Sequence, residues 1–172
     1  MGPIDTQHNS ASAVPAPWDT RWLEAYYGFL TDVRLATMSE GSVLIAGPKD
    51  RAVNVARAIV RDDLRCDGAP VRVCDGTTDE PLLAIERAAS IPAAVLIVGE
   101  VHALGRDAQA RLLDLARVRS EGGLRRVIAT SSASLLEHVY NGAFDDELFY
   151  TLNTVHVVIP RLTSLPSAPR GK

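Results

Sequence analysis

The chain alternates between two hydrophobic periods. Between residues 18 and 37 (WDTRWLEAYYGFLTDVRLAT), Trp22, Tyr26, Phe29, Val33 and Ala36 recur at spacings of three and four, which predicts a helix with one apolar face. The pattern then changes. SVLIAG (42–47) is an unbroken apolar run closed by glycine, as expected of a strand covered on both faces. Residues 51–64 return to helical spacing, with Val55, Ala56, Ile59 and Val60 inward. Four more apolar runs, at 71–74, 93–99, 125–130 and 155–160, read as strands. Between them, 79–89 opens with acidic residues and Pro81, 106–119 is amphipathic and ends at EGG, and LLEHVYNG and DDELFYTL are two short helices. Five apolar strands separated by helices predict a parallel sheet inside a three-layer α/β/α sandwich.

Composition sets the limits of this body. Residues 1–17 and 163–172 are rich in Ser, Ala and Pro and poor in large apolar side chains, so both are expected to be mobile flanks of one domain at 18–162. The 21 acidic and 18 basic residues give a formal charge of −3, against a protein that grips nucleic acid by charge. No apolar run reaches the ~18 residues of a membrane span, and the N-terminus is not patterned as a secretory signal, so a cytoplasmic location is expected. Cys66 and Cys74 then read as reduced thiols, and without a second Cys or His pair they make a poor zinc site.

In such a sheet, ligands bind beyond the carboxyl ends of the strands. The first strand runs into Gly47-Pro48-Lys49-Asp50-Arg51-Ala52-Val53-Asn54. A phosphate loop, G-x-x-x-x-G-K-[ST], needs glycines that curl backbone N–H groups around phosphates and a lysine that neutralises them. Only Gly47 is in place, Ala52 stands where the second glycine belongs, and Pro48 removes a donor. Lys49 and Arg51 either touch an anion or are solvated charges at a helix start. After the third strand comes Gly99-Glu100. Glu100 reads as a cap for the next segment or as the survivor of an acidic pair, and His102 as a satisfied loop histidine. Ser131, Ser132 and Ser134 with His138 suggest a nucleophile and base for an unrelated enzyme, but TSSAS before LLEHV also reads as a strand end and helix cap, and there is no G-x-S-x-G elbow.

Three stretches resemble a known family: VLIVGEVHALGRDAQARLLDL (95–115), LRRVIATSSASLLEHVYNGAFDDELFYTLNTVHVVIPRL (124–162) and SVLIAG with NVARAIV (42–60). Together they resemble the AAA+ domain of bacterial sigma-54-dependent transcription activators. The resemblance implies a P-loop NTPase fold and an ATP-driven ring that remodels the sigma-54 form of RNA polymerase. It also implies a phosphate loop, an Asp-Glu pair, a polar sensor after the fourth strand, arginines donated between subunits, a GAFTGA loop and a helical lid.

Position by position, this sequence departs from that pattern. The loop is one residue short. Val53 replaces the lysine, Gly99 the metal-holding Asp and Ser132 the sensor Asn, while Asp145 and Thr151 occupy the arginine positions. No GAFTGA occurs, the stretch from Cys74 to Ala93 is too short to hold that loop, and the lid and helix-turn-helix are expected to be absent. The scaffold positions persist while the ATP-dependent ones do not. The expectation is therefore a pseudo-ATPase with no catalytic residue, no metal and no cofactor, acting through protein contacts. Its partner would be a sigma-54-type activator or a second copy of itself, without direct nucleic-acid or membrane binding. Candidate interface residues are Trp18, Tyr27, Phe144, Asp145, Phe149 and Thr151, while Trp22, Tyr26 and Phe29 are expected to dock inward. The alternative is an ATP/Mg-binding protein or weak ATPase with a non-standard loop, carried by Gly47, Lys49, Arg51, Glu100 and Ser132.

Overall fold

The computed structural model describes residues 20–117 and 123–160. Helix α1 (Thr20–Met38) is followed by β1 (Val43–Ala46), α2 (Lys49–Asp62), β2 (Val71–Asp75) and α3 (Pro81–Ala89). Then come β3 (Val95–Gly99), α4 (Arg106–Arg117), β4 (Arg126–Ser131), α5 (Leu135–Tyr140), α6 (Asp146–Leu152) and β5 (Val155–Val158). All five strands are parallel, in the order β2-β3-β4-β1-β5. The fold class expected from the five apolar runs is the one found. The expected ends at 1–17 and 163–172 lie outside the described residues, as do Trp18 and residues 118–119. No helix among the described residues is long and apolar enough to cross a membrane.

Side chains alternate across the strands, and each face of the sheet packs its own core. Val43, Ile45, Val95, Ile97, Ile128 and Val157 meet Ala52, Ala56 and Ile59 of α2 and Ala36 of α1. Leu44, Leu96, Val98, Val127 and Ala129 meet Ile85, Leu112, Leu148 and Leu152 on the other face. Phe144 and Phe149, expected at an interface, belong to this second core, at 3% and 9% exposure. Phe149 lies on the inward face of α6 with Leu148 and Leu152, and Phe144 fills the space where the α5–α6 turn meets the sheet. Sequence spacing alone does not separate these aromatics from surface ones.

Helix α1 packs against β5 and α2. Phe29 and Val33 lie on the core as expected, whereas Tyr26 is 39% exposed and contacts Tyr27 edge to face at 6.2 Å. The C-terminal end of α1 is held by a buried charge network. Arg126, at the start of β4, donates to the Ala36 and Gly41 carbonyls and to Asp63 Oδ2 at 2.7 Å. Arg65 donates to the Thr37 and Ser39 carbonyls at 2.7 and 2.6 Å and to Asp63 Oδ1 at 2.8 Å. Two guanidiniums thus cap the terminal carbonyls of α1, and Asp63 supplies their countercharge.

Candidate functional site

The carboxyl ends of β2, β3, β4 and β1 bring together Asp75, Gly99-Glu100, Ser131-Ser132 and Gly47. Only Gly47 and Pro48 separate β1 from α2, because the residues read as a loop from Lys49 onward are wound into the first turns of the helix. Pro48 occupies the N-cap without a side-chain hydrogen bond. Gly47 is needed for packing, since a Cβ there would lie 2.8 Å from Ile159 Cβ.

Lys49 reaches across to β2. Its Nζ lies 2.6 Å from Asp75 Oδ2 and donates to Thr77 Oγ1 at 3.3 Å, while Thr77 donates its hydroxyl to Asp75 Oδ1 at 2.7 Å. The hydrogen bond to Asp75 raises the Lys49 ammonium above its usual value. Burial pushes the Asp75 carboxyl up, but the bonds from Lys49 and Thr77 outweigh it and hold the carboxyl low. Lys49 is thus a solvated charge at the start of α2, as one of the two readings has it, but one paired with Asp75, and Arg51 is exposed. Val53 is half-buried and faces Gly99, where an added Cβ would stand 3.8 Å from Val53 Cγ2 and 3.8 Å from Thr130 Oγ1.

Glu100 is 4% exposed and adopts left-handed backbone (φ 52°), a conformation that costs a non-glycine residue about 1 kcal/mol or more. It is the N-cap residue of the 3-10 turn Val101–Ala103, as the cap reading has it, but through its carbonyl, which accepts from Ala103 N at 2.9 Å, and not through its side chain. Instead Oε2 accepts the Ser132 hydroxyl at 2.5 Å and lies 3.7 Å from His102 Nε2, while Oε1 is buried with no hydrogen-bond partner. Gly76 donates its N–H to the Gly99 carbonyl at 2.7 Å, and a Cβ on Gly76 would strike the Glu100 carbonyl at 2.4 Å. The packing of Gly76 thus holds this turn close against β2.

His102 is the satisfied loop histidine expected. Ser131 Oγ spends its proton on the Ala133 carbonyl at 2.8 Å, so it accepts from His102 Nδ1 at 3.0 Å. His138 donates Nδ1–H to the Ser134 carbonyl at 2.9 Å and meets the His102 ring edge-on at 5.4 Å. Ser134 caps α5 by accepting from Glu137 N. These partners leave no hydroxyl–imidazole pair between His138 and a serine. No group of three or more His, Cys, Asp or Glu among the described residues is placed to hold a metal ion. Cys66 and Cys74 are free and buried, and burial pushes both thiols up.

Asp145, read as an acidic substitute for an arginine, is the N-cap of α6 and accepts from Leu148 N at 2.8 Å. Its own N–H donates to Gln109 Oε1 at 2.8 Å. The sequence reading missed Gln109. Its buried amide also donates to the Leu104 and Ala143 carbonyls at 2.7 and 3.1 Å, which ties α4 to the α5–α6 turn. A glutamine on the apolar face of an amphipathic helix was the available signal. Thr151 is half-buried and donates its hydroxyl to the Glu147 carbonyl at 2.8 Å. Of the candidate interface residues that are described, Tyr27 is 64% exposed and Asp145 is exposed as well.

Comparison with known proteins follows this geometry. A family profile described as the sigma-54 interaction domain matches residues 32–162. Among solved structures, NtrX from Brucella abortus in complex with ATP superposes with a TM-score of 0.64 at 21% identity, covering 79% of this chain and 37% of that one. The P-loop NTPase domain of the sigma-54 transport activator from E. coli gives 0.59 at 16% identity, with 76% and 99% covered. The RuvB Holliday junction branch migration motor of Thermotoga maritima gives 0.54 at 15% identity, with 80% and 44% covered. These likenesses establish the fold of P-loop NTPases. No curated protein matches the sequence. The chain spans little more than a third of the length of the NtrX structure.

Proposed function

Because the chain belongs to the sigma-54 interaction domain family, we propose that it is a non-hydrolysing member that acts through protein contacts in bacterial transcription control. The observation that carries this reading is the passage from β1 to α2 through Gly47 and Pro48 alone. A phosphate cradle needs several consecutive backbone N–H groups curled around an anion. Here Pro48 lacks an N–H, the following residues are helical, and Lys49 is engaged by Asp75. Val53 faces Gly99 where the family resemblance puts a lysine and a metal-holding carboxylate. These residues do not fit a magnesium triphosphate. The partner in this reading is a sigma-54-type activator or a second copy of the chain.

Nucleotide binding is the second reading. One observation favours it: the buried, unpartnered Oε1 of Glu100 near the same strand ends, an acceptor suited to a magnesium ion accompanying the nucleotide and not to its phosphates. A calorimetric titration with ATP and Mg²⁺ separates the two. No saturable heat at millimolar nucleotide is expected. Micromolar binding that Lys49→Ala or Arg51→Ala abolishes would establish the second reading. Affinity capture from the native host, read by mass spectrometry, tests the partner: recovery of a sigma-54 activator or polymerase component supports the proposal.

A further inference from the structure

Both ends of the sheet are edges, but they differ. β5 has α1 packed beside it, whereas β2 ends the sheet on the other side. Its outward hydrogen-bonding groups follow from the ladder. The Pro70 carbonyl accepts from Val95 N at 2.8 Å and Gly76 N donates to the Gly99 carbonyl at 2.7 Å. Residues 70, 72, 74 and 76 therefore face β3, and Val71 and Val73 turn N–H and C=O away from the sheet. Their side chains share the face of Val95 and Ile97, where α2 lies. Helix α2 rests on β1, β3 and β4, which leaves Val71 and Val73 39% and 43% exposed. Between them and α2 runs a groove of about 440 Å³ lined by Arg57, Val60, Arg61, Val71 and Val73, with Asp67 as the carboxylate in its lining. Arg57 and Arg72 are exposed and carry no ion pair among the described residues, while Arg61 is held by Asp62.

We propose that β2 is a docking edge for an extended acidic–apolar segment of a partner protein, which adds to the sheet as a sixth strand. Two valines offering paired donors and acceptors hold the partner backbone, and the groove takes its apolar side chains. Acidic side chains on alternate positions fall on the opposite face, beside Arg72. A second copy of this chain fits this edge poorly, because edge-to-edge pairing brings the same arginines together. The inference does not depend on whether the protein handles ATP.

The test is a blocked peptide of alternating valine and glutamate, titrated into ¹⁵N-labelled protein. Saturable shifts at the Val71 and Val73 amides are expected, with affinity about tenfold lower for Arg72→Glu, an exposed position. A matched valine–lysine peptide should not bind. Absence of shifts at millimolar peptide, shifts mapping elsewhere, or equal binding of the lysine peptide overturns the proposal. So does sedimentation showing a dimer that Val73→Lys dissolves, since that would make a second copy the occupant.

Discussion

Removing the Asp63 carboxylate gives the sharpest test of how the fold is held. Asp63 and Arg126 are each 3% exposed at the side chain, and their 2.7 Å contact sits at the junction of α1, α2 and β4. In Asp63→Ala, Arg126 keeps its bonds to the Ala36 and Gly41 carbonyls but is left as a buried cation without a countercharge. Breaking such a pair from one side costs about 3–5 kcal/mol. Arg65 is 37% exposed, so its bond adds little beyond that. For a chain of this size each kcal/mol moves Tm by about 2–4 °C, so a fall of roughly 6–20 °C is expected by calorimetry. Asp62→Ala, which breaks only the solvated pair with Arg61, should leave Tm unchanged.

Acid titration adds a second readout. Burial pushes the Asp63 carboxyl up, but hydrogen bonds and charge from Arg65 and Arg126 outweigh this and hold it below the usual range. Its stabilisation is therefore present above the unfolded value of about 3.9 and drains away as pH falls through the lower folded value. The gap between wild type and Asp63→Ala should close in that window. A neutral-pH difference under about 1 kcal/mol, or a gap that persists into strong acid, would refute the reasoning.

Two other substitutions probe the candidate site. Gly47→Ala should destabilise by about 1–3 kcal/mol in urea unfolding, through its contact with Ile159; the double variant with Ile159→Ala should lose less than the sum of the two single variants. Glu100→Gln should stabilise the fold by about 1 kcal/mol, because it removes a buried charge with one oxygen unbonded; a loss would show that a cation holds the carboxylate.

The sheet is legible because burial on both faces leaves a direct mark: VLIAG and AAVLIVG are apolar at every position, and both carry strands. Helix existence was equally readable from the three-four spacing of α2 and α4. What composition hid was direction and partnership. Nothing local distinguishes Phe149, which packs inward, from Tyr150, which is 72% exposed, because both sit in one short helix. Arg126 begins a buried strand, a position where arginine is tolerated only with a countercharge, and Asp63 lies too far away in sequence to suggest itself. Lys49 was legible as a cation near the strand ends, but its commitment to Asp75 depends on β2 lying next to the site. Glu100 is visible in the sequence as a carboxylate after a strand, but its bond to Ser132 needs the register of β3 against β4.

The joint at Gly47-Pro48 has a consequence for how this lineage can change. A lysine at Val53 and a carboxylate at Gly99 would add charge beside this joint without supplying the run of backbone donors that an anion needs. Because the residues after Pro48 are wound into α2, freeing their N–H groups requires an insertion or an unwinding of the helix start. That rearrangement would also break the Lys49–Asp75 bridge. Point substitution alone therefore does not open this joint.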